Sequence, residues 1–265
     1  MERSRTAEFF EARVQEWNEH YSEPDDYWYR RNVLAGAWLA KHLRPGWKSL
    51  EIGCATGQLS ELLHHRGQIV YGVDISPGMV TAAQTRLGRL GVPFSHFQVC
   101  EPGGLPFPDR YFDFVAALDV LPYVENQPQY IREVRRVLKP GGLAFLNNVN
   151  RGSLFVSLTT LRVLPSGFGG RYLVPGPSWW RSLGRFIRTG YSSGGFVDLS
   201  KAVQARSADA LDRMFEENSF TTIGGYDMYN IRYLDSNPVA RTGLSAWAAR
   251  RWAWNHFGLY QARYS

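Results

Sequence analysis

The chain has 265 residues and a formal net charge of +6, long enough for one substantial α/β domain with a core of its own. It contains no run of about 18 apolar residues, so no membrane-spanning helix is expected. Its opening, MERSRTAEFFEARVQEW, lacks an apolar stretch, so no signal peptide is expected.

In chain order, residues 6–20 and 27–43 read as two amphipathic helices joined by the turn-prone SEPDD, with Tyr27, Trp28 and Tyr29 at the head of the second. Strands and helices then alternate. Strands are predicted near 47–52, 68–73, 93–99, 111–117 and 142–148, and helices near 57–66, 77–90 and 127–138. This alternation predicts a doubly wound parallel sheet with right-handed crossovers. From about 150 to 205 the periodicity is lost, and Gly, Pro, Ser, Arg and aromatic residues dominate. Regular structure resumes with a helix capped by Ser207, a strand at 220–226 and an alternating closing strand at 257–264. A single domain over 1–265 follows. It comprises a helical cover (1–43), a cofactor-binding core (44–150), an insertion (151–205) and the remainder of the core sheet (206–265). Charge divides along the same line. Residues 1–150 carry 16 Lys/Arg against 17 Asp/Glu, whereas 151–265 carry 14 against 7.

Chemistry concentrates at SLEIGCATGQLSELL (49–63) and at Asp74, which closes the apolar run QIVYGVD. Glycine lets a backbone pass close to a ligand, the N–H groups of a helix start face a polar or anionic group, and an acid ending the next strand can accept both hydroxyls of a ribose. Glycine loop, helix and acid 21 residues after Gly53 read as a nucleoside-cofactor site at the edge of a parallel sheet. A dinucleotide loop needs a small residue where Gln58 stands, and a phosphate loop needs Lys followed by Ser or Thr where Gln58 and Leu59 stand. What remains is E-x-G-x-A-x-G, with Glu51 suited to a ligand ammonium.

Four segments in order resemble the class I S-adenosylmethionine-dependent methyltransferases, in their small-molecule branch with the ubiquinone and menaquinone methyltransferases. These are EIGCATG (51–57), which differs from the usual acid-x-G-x-G-x-G only at Ala55, then VDISPGMV (73–80), LPFPDRYFDFV (105–115) and VLKPGGLAFL (137–146). The resemblance covers roughly residues 45–150. It implies a Rossmann-like methyltransferase fold, a doubly wound, mostly parallel seven-stranded sheet, with N-terminal helices and an inserted lid, and S-adenosylmethionine as cofactor. It further implies that Glu51 holds the amino group and that Gly53, Cys54, Ala55 and Gly57 carry the methionine portion. Asp74 would accept the ribose hydroxyls, Ile75 and Met79 pack the adenine, and Glu101 accept from the adenine amino group. Relatives offer a backbone N–H at the next position, where this chain has Pro102, which has none.

Asp119 and Tyr123 follow the fourth strand, where open α/β sheets bind ligands. Asp119 is a candidate for orienting the sulfonium side or for a base, and Tyr123 for a wall of the methyl-transfer site. His20 and His256 are the other candidate bases. Residues 151–205 hold seven basic residues against the single acid Asp198. They occupy the slot in which relatives carry a cap, so Tyr172, Trp179, Trp180 and Arg181 are candidate acceptor-binding residues. WWRSLGRFIR also reads as an interfacial segment, giving a peripheral membrane contact as an alternative role. Cys54 and Cys100 fall after the first and third strands, about 10 Å apart with a strand between them, too far for a disulfide, so a reduced, cytoplasmic protein is expected. No Cys/His cluster suggests a metal.

The expected function is methylation of oxygen, nitrogen or carbon on a small hydrophobic or aromatic metabolite, with homo-oligomerisation compatible with the sequence. The basic aromatic half raises nucleic-acid methylation as a competing reading. Against that reading, the chain has Asp119-Val-Leu-Pro-Tyr where enzymes methylating nucleobase amino groups carry Asn/Asp/Ser-Pro-Pro-aromatic. A cyclase or regulatory protein on the same fold is the third reading.

Overall fold

The computed structural model describes residues 5–24, 26–101, 103–149, 208–228 and 255–264. Tyr172, Trp179, Trp180, Arg181 and the helix cap expected at Ser207 lie outside these residues.

The strands β1 (Lys48–Ile52), β2 (Ile69–Asp74), β3 (Phe97–Val99), β4 (Phe112–Ala117), β5 (Leu138–Val149), β6 (Phe220–Met228) and β7 (Asn255–Ala262) form one sheet in the order β3-β2-β1-β4-β5-β7-β6. The first five are parallel, and β7 runs antiparallel to both β5 and β6. The central strands read as apolar runs because both faces are covered. On one face, Leu50, Val115 and Leu146 pack with α6 (Gln127–Val137) and α7 (Ala208–Glu217) through Ile131, Val134, Leu211 and Phe215. On the other, Phe114, Ala116 and Phe145 pack with α3 (Tyr27–Leu39), α4 (Gln58–His64) and α5 (Pro77–Gly88) through Leu39, Leu63 and Leu87.

The helix starts are chemically specified. Asp26 accepts from Trp28 N at the head of α3, Ser76 from Met79 N before Pro77 of α5, and Asn126 from Gln129 N at α6.

Several boundaries differ from the sequence reading. The first predicted helix is two, α1 (Arg5–Glu11) and α2 (Val14–His20). The break lets α1 and α2 straddle the start of α5. Glu11 Oε2 accepts from Ser76 Oγ at 2.6 Å and Gly78 N at 2.9 Å, while a Cβ on Gly78 would stand 2.8 Å from Val14 Cγ2. Helix α3 stops at Leu39, four residues early. Strand β3 is shortened because Phe94–His96 form a 3-10 turn. Strand β5 begins at Leu138, ahead of the Pro-Gly-Gly turn signal. Its pairing with β4 absorbs those residues through a register shift between Phe112 and Phe114, with Gly141 at φ +74°.

The strand order reverses between β1 and β4, and the carboxyl edge at that point is the expected ligand position of such a sheet. A cavity of about 420 Å³ opens there.

Candidate active site

The turn between β1 and α4 is built by two glycines with different jobs. Gly53 has φ +70°, and a Cβ there would run into Val120 Cγ2. Its N–H and that of Cys54 both donate to Val73 O, at 2.8 and 3.0 Å, which holds the turn flat beneath the cavity. Gly57 (φ +83°) starts α4, and its absent Cβ makes room for Leu87 and Ala83 of α5. Packing therefore explains Gly57, which does not line the cavity. Cys54 does not line it either; its side chain is buried in the core, and burial pushes its thiol well above the ordinary range. Both Cys54 and Cys100 are free thiols. Ala55 lines the cavity in a left-handed conformation, φ +44°, and its N–H donates to Asp74 Oδ2 at 2.9 Å.

Asp74 also lines the cavity, and Ser76 N donates to its Oδ1 at 2.9 Å. Backbone donors, with Ile75 N–H a third, thus fix the carboxylate while burial raises its pKa. Glu51 sits one layer deeper, outside the cavity wall. Its Oε2 accepts from Ser60 N and Ser60 Oγ, at 2.9 and 2.6 Å, and burial pushes its carboxyl up to about 8. Ile75, Met79 and the exposed Glu101 line the cavity on the β2–β3 side.

The opposite wall is aromatic. Phe10, Trp17, Trp28 and Tyr123 line it, with Phe10 edge-on to Tyr123 at 5.5 Å and Trp17 edge-on to Trp28 at 4.9 Å. Asp119 stands between this wall and the glycine turn, also left-handed at φ +56°. Asn147 of β5 holds it there: Asn147 Oδ1 accepts Asp119 N at 2.6 Å, and Asn147 Nδ2 donates to Asp119 Oδ1. Asp119 Oδ2 is ion-paired with Arg31 of α3.

Arg31 was absent from the sequence candidates. It is 3 % exposed, lines the cavity and also donates to Asn32 Oδ1, whose amide nitrogen donates in turn to Gln58 Oε1 at 2.8 Å. The only hint in the sequence is Arg-Arg-Asn followed by an otherwise apolar helix. Asn147, in an apolar strand, is the matching signal at the other end of the network.

His20 does not line the cavity but sits behind Trp17, which does. Its Nδ1 meets Asp26 Oδ2 at 2.8 Å and its ring packs edge-on to Trp17, which joins α2 to the start of α3. His256 is in β7, opposite Asn148 of β5. Among the described residues no group of three or more His, Cys, Asp or Glu could hold a metal ion, and no helix is long and apolar enough to cross a membrane.

The arrangement suits a ligand with three distinct parts. Asp74 offers a pinned acceptor for vicinal hydroxyls. Arg31 in the cavity wall and Glu51 one layer behind it offer a cation and an ionisable carboxyl for a zwitterionic amino acid. Ile75 and Met79 form an apolar slot. S-adenosylmethionine has a ribose, an amino-acid end and a flat base, and the turn at Gly53 lines the cavity with Val120 packed against it.

Residues 50–146 match the family model described as Methyltransferase domain. The ubiquinone biosynthesis O-methyltransferase of Pseudomonas entomophila is 30% identical over 165 residues, which span 60% of this chain and 71% of that protein. That of Stutzerimonas stutzeri is 28% identical over 165 residues, with the same shares. Among solved structures, magnesium protoporphyrin IX methyltransferase from Synechocystis with bound S-adenosylhomocysteine superposes with TM-score 0.60 at 17% identity, covering 98% of this chain and 100% of that one. The cyclase SpnF superposes with TM-score 0.64 at 18% identity, covering 98% and 96%; at these identities the likeness is one of fold. Glycine turn, strand-end acid and sheet order agree with these relationships, and the chain belongs to the class I S-adenosylmethionine-dependent small-molecule methyltransferases.

Proposed function

We propose that the protein transfers the methyl group of S-adenosylmethionine to a hydroxyl oxygen of a small acceptor with an apolar, aromatic body. The observation that carries this reading is the convergence of Gly53, Asp74 and Arg31 with an aromatic wall on one cavity. The oxygen specificity is taken from the relatives named as O-methyltransferases.

The cofactor supplies a methyl group on a positively charged sulfur, and that charge disappears as the methyl moves. Asp74 accepts the ribose hydroxyls, Glu51 and Arg31 take the ammonium and carboxylate, Ile75 and Met79 pack the base, and Glu101 accepts from its amino group. Phe10, Trp17, Trp28 and Tyr123 keep water out and hold the acceptor flat. Positioning of this kind is worth about 7–11 kcal/mol. A carboxylate pressed against the sulfonium would stabilise the ground state more than the transition state. The Arg31 ion pair balances Asp119, so an acid can stand at this edge without that penalty. With one carboxylate oxygen on Arg31 and the other on Asn147, Asp119 serves as a holding group. An acidic hydroxyl gives its proton to solvent before it enters the cavity, and a dedicated base, worth about 10²–10⁴-fold, is not required.

We further propose that Trp179, Trp180, Arg181 and the basic residues after them meet an anionic lipid surface from which an apolar acceptor is drawn. This part rests on sequence alone.

The test is transfer from methyl-labelled S-adenosylmethionine to catechols graded by alkyl chain length and to a lipid extract, with the product identified by mass spectrometry and Asp74→Asn as control. O-methylated product from the longer-chain catechols supports the reading. Only N- or C-methylated product, or no transfer by protein that binds the cofactor, overturns it.

A further inference from the structure

The α6 side of the cavity carries a polar group that none of these roles uses. Tyr130, one turn into α6, lines the cavity and is fully buried, and its hydroxyl has no hydrogen-bond partner among the described residues. Native proteins rarely leave a buried hydroxyl unpaired, because it forfeits its bonds to water. Burial pushes its ionisation far above the ordinary range, so the group keeps its proton and stands as a donor.

The position of Tyr130 is fixed by its helix. Glu133, three residues on and on the same helix face, accepts from Leu105 N at 3.2 Å, and Arg136 donates to Leu105 O and Phe107 O at 2.9 and 2.8 Å. This face therefore packs on the loop that follows β3, and Tyr130 shares a core cluster with Leu105 and Phe107. Glu101 and Gly103 of that loop line the same cavity as Tyr130.

Adenine presents an amino donor beside a ring-nitrogen acceptor. An ionised Glu101 can satisfy the amino group but offers nothing to the ring nitrogen, and the next residue, Pro102, has no N–H. We propose that the Tyr130 hydroxyl supplies the missing donor and hydrogen-bonds the adenine ring nitrogen adjacent to the amino group held by Glu101. The proposal rests on the cofactor placement given above and makes Tyr130 a cofactor-binding residue. The competing donor is the Gly103 N–H.

The test is titration calorimetry of the parent and Tyr130→Phe with S-adenosylhomocysteine and with its 1-deaza analogue, in which that ring nitrogen is carbon. The parent should bind S-adenosylhomocysteine about three- to tenfold more tightly than the analogue, as one neutral hydrogen bond allows. Tyr130→Phe should lose this discrimination and bind the analogue as the parent does. Discrimination that survives in Tyr130→Phe would assign the contact to Gly103 N–H, and equal weakening toward both ligands would assign Tyr130 to packing; either result overturns the proposal. A ligand-free Tyr130→Phe protein melting several degrees lower would likewise assign the hydroxyl to the fold. A parent that binds neither ligand would instead overturn the cofactor placement, and the proposal with it.

Discussion

Cofactor binding should be steeply pH-dependent, with Glu51 as the cause. Burial raises its carboxyl from 4.5 to about 8, against the Ser60 hydrogen bonds and the Arg31 charge that pull it down. In the ligand-free protein at neutral pH the group is therefore mostly protonated, whereas a ligand ammonium requires the carboxylate. With a midpoint near 8, the ionised fraction is about 10% at pH 7 and about 1% at pH 6. Affinity for S-adenosylhomocysteine should rise about tenfold per pH unit from 6 to 7.5 and level off above 8. Close to one proton should leave the protein on binding at pH 6.5, counted by calorimetry in buffers of different ionisation enthalpy. The same shift acts on folding, because the folded state holds this proton more tightly than the unfolded chain. The resulting stabilisation is complete below the unfolded value of 4.5 and is lost as pH rises through about 8. The pKa of Asp74 is raised in the same direction, so Glu51→Gln separates the two: it should flatten the affinity profile and weaken binding at pH 8. A dissociation constant independent of pH between 6 and 8, or an unchanged slope in Glu51→Gln, would refute the reasoning.

Three further outcomes follow from the geometry. Gly53→Ala should abolish measurable cofactor binding by calorimetry and lower the melting temperature, since it meets Val120 at a backbone angle costing L-residues about 1–2 kcal/mol. Arg31→Met should destabilise by about 2–3 kcal/mol in urea unfolding, below the ~3–5 of a fully buried pair because the Asp119 side chain keeps 20% of its exposure; adding Asp119→Asn should restore part of the loss. His20→Gln should keep methyl-transfer turnover within about twofold of the parent, while losing about 1 kcal/mol of stability with the Asp26 contact.

What could be read from the sequence was what local pattern encodes. Buried parallel strands are contiguous apolar runs and Asp74 ends one of them, so strand, turn and acid could be placed without coordinates. The break between α1 and α2 could not, because it depends on Gly78, whose missing Cβ leaves room for Val14. Arg31 escaped for a related reason. A basic residue on a helix is normally solvated, and its burial here follows from Asp119, 88 residues away in the chain. His20 is the converse: a histidine in the N-terminal cover reads as a candidate base, yet its Nδ1 meets the acid that starts the next helix. Gly57 matched a ligand-binding motif while serving the packing of α4 on α5.

The two ends of the cover are fastened to the edge that would hold the cofactor. Glu11 bonds Ser76 Oγ and Gly78 N, and Ser76 N bonds Asp74. At the other end, Arg31 bonds Asp119, which Asn147 fixes to β5. Of the aromatic wall, Trp17 and Trp28 lie between these anchors in the chain and Phe10 directly precedes the first. The wall's position relative to the acid and the glycine turn is therefore set by charged and hydrogen-bonded contacts, which are directional, together with the packing of Trp17 on Tyr21 and Met79. A reaction that depends on alignment and on keeping water out needs this kind of fixing. It also accounts for four buried or half-buried ionisable groups at or just behind the wall of one small cavity. Arg31 and Asp119 balance one another, Asp74 is held by backbone N–H groups, and Glu51 carries a proton until a cation arrives.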